Sequence, residues 1–196
     1  MKSNQEKKEL ITVRLIVEDA LFAALAMALN YIKPDMGILN ISFGFIPITF
    51  LALKRGLLNG MISGLIFGIL DLFLKGMGTP NVVSVIQALF EYIVAFTLIG
   101  LAGLAHGPLQ LAINKKQHGF AVLSLFLGTL IGSLGKFACH TIASATFFSK
   151  YLTIPKHGNI WIAALLYQAP SFFTTFILAT FCLILIYAIR PTLYEG

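Results

Sequence analysis

Long apolar runs, separated by short polar segments, dominate this chain of 196 residues. A helix needs about 20 consecutive apolar residues to cross the hydrocarbon core of a bilayer. Only 11% of the residues are charged and 58% are hydrophobic, whereas soluble domains carry about 25% charged residues. A water-soluble domain of this length could not cover so much apolar surface. We therefore predict an all-α membrane protein.

The apolar runs predict a bundle of six transmembrane helices in a single integral membrane domain that covers 1–196. The first run follows a polar segment and begins with Glu18 and Asp19, which favours a transmembrane helix over a cleaved signal peptide. The second run is short and contains Pro47, so this helix is expected to be bent, tilted or partly re-entrant. The predicted spans are 14–32, 38–53, 57–74, 82–105, 119–148 and 161–189.

Basic residues are distributed unequally between the two ends of these spans. One end has Lys2, Lys7, Lys8, Arg14, Lys54, Arg55, Lys115, Lys116 and Arg190, and the other has Lys33, Lys75, Lys150 and Lys156. Because cytoplasmic loops are enriched in Lys and Arg, we expect a multi-pass membrane protein with both termini in the cytoplasm. The basic residues form no stripe with interleaved aromatics, so nucleic acid is not an expected partner.

Two spans carry small residues at a spacing of four, which places them on one helix face. The third span has Gly56, Gly60, Gly64 and Gly68, and the first has Ala20, Ala24 and Ala28. Small residues let helices approach closely in lipid. The glycine stripe predicts packing inside the bundle. The alanine stripe is compatible with either a neighbouring helix of the same chain or a separate protein.

Ionisable side chains inside a span are costly and usually face a cavity or a partner. Asp71 and Lys75 are one turn apart near a helix end, which predicts a local ion pair. Glu91 is different, because it lies nine residues after Val82, about 13 Å along a helix. His140 lies eight residues before the end of its span, about 12 Å deep, and Lys136 is on the same face.

The sixth span adds polar groups at a similar depth. Tyr167 and Gln168 lie about 9 to 10 Å below Trp161 and just before Pro170. A carboxylate, an imidazole, an amide and a phenol from three spans predict a pocket for a small polar ligand that carries positive charge and hydrogen-bonding edges. The structural alternative is an internal salt bridge between Glu91 and Lys136 that only holds the bundle together.

Three segments of the chain resemble a known family of membrane proteins. They are ALKRGLLNGMISGLIFGILDL (52–72), IQALFEYIVAFTLIGLAGL (86–104) and GKFACHTIASATFF (135–148). They are similar to the thiamine-specific substrate-binding subunit, or S-component, of energy-coupling factor (ECF) vitamin transporters. The Glu-Tyr pair after QAL and the downstream KxxxH are the most specific features. The resemblance implies a six-helix S-component fold in the plasma membrane of a prokaryotic cell, with the ligand near the outer face.

The resemblance also implies roles for particular residues. Glu91 and Tyr92 match the Glu-Tyr pair that contacts the vitamin, and His140 matches the histidine of the pocket. Tyr167 and Gln168 take the positions of a Tyr-Asn stretch. The expected substrate-binding residues are thus Glu91, Tyr92, Lys136, His140, Phe148, Tyr167 and Gln168. The alanine stripe corresponds to the ridge with which such subunits dock on the transmembrane coupling protein, which works with two ATPases.

The chain departs from the family in three places. Gln168 replaces a characteristic Asn, Phe148 stands where the family usually has a stacking Trp, and the loop before the second span has no Trp. Trp gives the strongest cation–π contact with a cation such as the thiazolium ring. Because this contact is missing here, the predicted ligand is either thiamine or a related pyrimidine or thiazole precursor. Phe148, Tyr151 and His140 are expected to stack on it, and the loop 33–40 to act as a lid.

The predicted function is therefore substrate capture for an ECF importer that is driven by ATP. The alternative is a stand-alone, proton-coupled transporter of a small cationic heterocycle, which uses Glu91, Lys136 and His140 as a relay. An enzyme is not expected, because the adjacent Cys139 and His140 point about 100° apart on a helix. The sequence predicts neither a metal centre nor a cofactor.

Overall fold

The computed structural model describes residues 2–32, 41–77, 82–149, 152 and 158–195. In this part of the chain six helices are present and no strand. They are α1 (Lys2–Tyr31), α2 (Phe45–Arg55), α3 (Leu57–Gly76), α4 (Val85–Asn114), α5 (His118–Phe147) and α6 (Ile160–Ile189). A short 3-10 helix, Pro191–Tyr194, follows α6.

Four of the described helices, α3 to α6, are long and apolar enough to cross a membrane. The second predicted span, 38–53, is wrong at its start, because α2 begins only at Phe45 and has 11 residues. The fourth was predicted to end at 105, but α4 continues to Asn114. Pro108 lies in the first turn of its last α-helical segment, His106–Asn114, where proline is tolerated.

The glycine stripe of α3 packs against α4, as predicted. A Cβ atom added to Gly64 would lie 2.4 Å from the carbonyl oxygen of Phe96, and one added to Gly68 would lie 2.5 Å from that of Tyr92. One turn away in the other direction, Gly60 faces Gly100. The stripe ends at Gly56, which instead has a φ of 93° at the turn between α2 and α3. This contact fixes the height of Tyr92 relative to α3.

Helix α1 is attached to α3 by polar contacts at two levels, one in the middle of α1 and one near its C-terminal end. Asn59 Nδ2 donates to the carboxylate of Asp19 at 3.0 and 3.1 Å. Eleven residues further along α1, Asn30 Nδ2 donates to Asp71 Oδ1 at 2.8 Å. These contacts turn one face of α1 into the bundle and leave its other face exposed, which carries Ala20, Ala24 and Ala28.

The C-terminal 3-10 helix packs back onto the bundle through Tyr194, which is completely buried. Its hydroxyl donates to the carbonyl of Leu183 at 2.9 Å, and its own carbonyl accepts from Gln110 Nε2 at 2.6 Å. The ring centroid lies 4.7 Å from that of Phe50. Burial raises the pKa of the Tyr194 hydroxyl above its ordinary value.

Candidate ligand-binding site

A cavity of about 660 Å³ lies among the six helices. Its volume is within the range of small-molecule sites, which is about 300 to 1,000 Å³. The structure brings together in its wall all seven residues that the sequence suggested for substrate binding. They are Glu91, Tyr92, Lys136, His140, Phe148, Tyr167 and Gln168.

Glu91 and His140 meet in this wall. Glu91 Oε1 lies 3.3 Å from His140 Nδ1, and Gln87 Nε2 donates to Glu91 Oε2. About one-fifth of each side chain of the Glu91–His140 pair remains exposed. Glu91 and Tyr92 belong to a π-helical stretch of α4, Leu89–Val94, a distortion that is frequent at functional sites. Gln87 is completely buried and does not line the cavity, so its hydrogen bond orients the Glu91 carboxylate from the protein interior.

Helix α6 closes the neighbouring wall. Gln168 Nε2 donates to Ser144 Oγ at 2.6 Å and lies 3.5 Å from the carbonyl oxygen of His140. These contacts join α6 to the same part of α5 that carries the imidazole. Tyr167, which directly precedes Gln168 on α6, also lines the cavity and is 55% exposed. Phe148 forms the C-terminal cap of α5.

Phe96 is a site residue that the sequence did not indicate. Its ring packs edge-on against the rings of Tyr92 and His140, with both centroid distances at 6.3 Å. The ammonium of Lys136 lies 5.2 Å from its centroid. The only sequence signal is its position one turn after Tyr92 on the same face of α4.

A second polar part of the wall comes from α1 and α3. Lys75 Nζ lies 3.9 Å from Asp71 Oδ1, which confirms the local ion pair predicted from the spacing. However, both side chains line the cavity, as does Asn30. The spacing of Asp71 and Lys75 accounts for the ion pair within one helix and gives no sign that either side chain faces a cavity.

Two expectations concern residues beyond the described part. The proposed lid at 33–40 and the stacking residue Tyr151 lie outside the described residues.

Cys139 is buried and does not line the cavity. Within the described ranges, no group of three or more His, Cys, Asp or Glu side chains could hold a metal ion.

The geometry of the cavity and its wall defines a class of protein. Apolar helices surround a cavity whose wall carries a carboxylate, an imidazole, an amide and several aromatic rings. Such an arrangement is suited to holding a small, partly charged solute within a membrane. The fold and site are those of a multi-pass membrane protein that binds a solute.

Comparison with known proteins identifies the family within this class. The family described as thiamine transporter protein matches residues 16–195. Thiamine transporter ThiT of Lacticaseibacillus paracasei is 35% identical over 97% of this chain and 93% of its own length. The ThiT of Bacillus subtilis is 31% identical, with 98% of both chains covered. The chain belongs to the thiamine transporter protein family.

A solved structure supports the same assignment. ThiT from Listeria monocytogenes superposes with a TM-score of 0.84 and 26% identity, over 96% of this chain and 100% of that chain. This match confirms the S-component fold expected from the sequence. The relatives are bacterial and are named as transporters, so the chain is a multi-pass protein of a bacterial plasma membrane. The side of the membrane that each terminus faces stays a prediction.

Proposed function

We propose that this chain binds thiamine in the cavity and delivers it, as the substrate-capture subunit of an ECF importer, to a coupling module driven by ATP. The observation that carries the proposal is the Glu91–His140 pair in the wall of a cavity of about 660 Å³. A bundle that was merely held together by internal ion pairs would fill this volume with side chains.

The chemistry of the wall suits thiamine. Glu91 accepts hydrogen bonds from the aminopyrimidine and balances the positive charge of the thiazolium ring. Tyr92, Tyr167 and Gln168 orient the ligand through their polar ends. The aromatic rings of Phe148 and His140 offer stacking surfaces for a flat heterocycle. A pyrimidine or thiazole precursor would fit part of the same wall, so both are tested as competitors.

The exposed face of α1 supports docking on a coupling protein. Ala20, Ala24 and Ala28 lie on this face, whereas Ala23 and Ala26 are buried in the bundle. Small side chains allow a second helix to approach closely in lipid, where fit rather than hydrophobicity holds helices together. The proposed partner is the transmembrane coupling protein of an ECF complex, which carries two ATPase subunits.

Two measurements test the proposal. Titration of the purified chain should give tight binding of thiamine and weaker binding of the pyrimidine and thiazole precursors. Vesicles that contain the chain alone should show no thiamine uptake, and uptake should begin only with the coupling protein, both ATPases and ATP. Uptake by the chain alone along a proton gradient would instead support the stand-alone transporter. Tighter binding of a precursor than of thiamine would change the assigned ligand.

A further inference from the structure

We propose that Asn30, Asp71 and Lys75 form a second polar subsite of the cavity, which takes a hydrogen-bond donor of the ligand, namely the primary hydroxyl of thiamine. The inference rests on the proposed function for the identity of the ligand. It concerns a different wall from that of Glu91 and His140, because the three residues belong to α1 and α3.

The subsite is built of connected polar groups. Asn30 is 2% exposed and Asp71 is 5% exposed. Asn30 Nδ2 donates to Asp71 Oδ1 at 2.8 Å, and Lys75 Nζ donates to the backbone carbonyl of Asn30. The Lys75 ammonium also lies 4.3 Å from the ring centroid of Tyr31. The two charges balance each other, so the subsite favours a neutral polar group over an ion.

An unsatisfied oxygen shows which kind of group is missing. Asn30 Oδ1 is buried and has no hydrogen-bond partner. Its amide cannot be reversed without loss of the bond to Asp71, because the carboxylate accepts and the Nδ2 group donates. Ser42, another residue of the cavity wall, also has a buried Oγ without a partner. A buried acceptor without a donor is destabilising, and Asn30 and Ser42 are both residues of the cavity wall.

A hydroxyl group on the ligand meets this requirement. It donates a hydrogen bond to Asn30 Oδ1 after a small tilt of the amide that keeps the bond from Nδ2 to Asp71, and its own oxygen remains available to the neighbouring donors of the wall. Thiamine carries its aminopyrimidine and its hydroxyl at separate ends. The cavity correspondingly has an acceptor wall around Glu91 and a second one around Asn30 and Asp71. The second wall thus adds selectivity for ligands with a donor at both ends.

The test compares thiamine with an analogue in which fluorine replaces the hydroxyl. Fluorine is similar in size but cannot donate. Calorimetric titration of the wild-type chain should show binding about tenfold weaker for the analogue. In Asn30→Ala the two ligands should bind with nearly equal affinity. The matched control is Ser124→Ala, which removes a buried hydroxyl of α5 that donates to Phe120 within its own helix and lies outside the cavity wall. This variant should keep the tenfold difference.

The outcomes distinguish a failure of the subsite from a failure of the proposed function. If wild type binds thiamine and the fluoro analogue equally well, the subsite is overturned while the proposed function stands, and this comparison needs no variant. The subsite is also overturned if Asn30→Ala keeps the full tenfold difference in affinity between thiamine and the fluoro analogue. If wild type binds neither compound, the proposed function fails, and the assignment of the hydroxyl fails with it.

Discussion

Glu91 Oε1 on α4 and His140 Nδ1 on α5 lie 3.3 Å apart in the wall of the cavity. The two residues are 49 positions apart in the chain, so the contact depends on how the helices pack. The pairing gives the carboxylate a fixed orientation and leaves part of it open to the cavity. Both side chains therefore belong to the surface of the cavity, where we expect a ligand to contact them.

The first prediction concerns the charge of Glu91. Glu91→Gln keeps the shape of the side chain but removes the negative charge, so the charge of a cationic ligand would remain unbalanced in a cavity among apolar helices. Thiamine affinity should fall by more than tenfold, since one lost charge-assisted interaction costs about 1.5–3 kcal/mol. Calorimetric titration in detergent measures this change. Unchanged affinity for thiamine would show that Glu91 does not bind the ligand.

A matched acid provides the control for this prediction. Glu18 on α1 accepts from Arg55 at 2.8 Å and does not line the cavity. Glu18→Gln removes the same charge from another helix. The affinity for thiamine should stay within about twofold of wild type. An equal loss in both variants would indicate a general effect of net charge or of stability.

The second prediction is that Glu91 and His140 act as a pair. Because the side chains are in contact, the losses in Glu91→Gln and His140→Gln should not add in the double variant, with a coupling of about 0.5–3 kcal/mol. Thiamine affinities of the four proteins complete the cycle. His118→Gln is the control on the same helix, since His118 contacts Tyr187 at 3.0 Å and lies outside the cavity wall. Its effect should add to that of Glu91→Gln, and additivity of the His140 cycle would contradict the pairing.

The sequence predicted most of the fold because lipid imposes a simple length rule on apolar runs. The bounds of α3, α5 and α6 agree with the predicted spans to within two residues. The start of the second span and the end of the fourth were wrong. Pro47 was expected to bend or tilt its helix, but it lies in the first turn of α2, and α4 continues past Pro108, which lies in the first turn of the segment His106–Asn114. The position of a proline relative to a helix start is not visible in hydropathy alone.

The candidate site was predictable where a polar residue lay deep in an apolar run. Glu91 and His140 were found in this way, because burial of such groups has a cost that demands a partner. Phe96 carries no comparable signal, since an aromatic residue is ordinary in an apolar helix. Asn30 and Asp71 became part of the site only through the packing of α1 on α3, which spacing along one helix does not reveal.

The third prediction concerns the glycine contact that positions Tyr92. In Gly68→Ala the new Cβ would lie 2.5 Å from the carbonyl oxygen of Tyr92, so α4 must shift away from α3. We expect a loss of about 1–3 kcal/mol in stability and weaker binding of thiamine. Thermal unfolding and titration measure the two effects. Gly107→Ala is the control, because a Cβ there meets nothing within 4 Å. If both variants behave like wild type, the contact does not position Tyr92.

The fourth prediction separates docking from ligand binding. Ala24→Leu places a larger side chain in the middle of the exposed alanine stripe of α1, at a distance from the cavity wall. Thiamine affinity of the isolated chain should be unchanged, whereas ATP-driven uptake with the coupling module should fall at least tenfold. Ala188→Leu, at an exposed alanine of α6, should leave both quantities unchanged. Normal uptake in Ala24→Leu would place the docking surface elsewhere.

The last prediction concerns the pH dependence of stability through Tyr194, which lies beyond the end of α6. Burial raises the pKa of its hydroxyl, so the folded state favours the neutral form. The stabilisation is therefore complete below the pKa of an unfolded tyrosine, about 10, and decreases as the pH rises above that value. Tyr194→Phe loses the hydrogen bond to Leu183 and should be less stable by about 1 kcal/mol at pH 8. Melting curves from pH 8 to 11 should show a smaller decline for the variant than for wild type, and parallel declines would exclude this role for Tyr194.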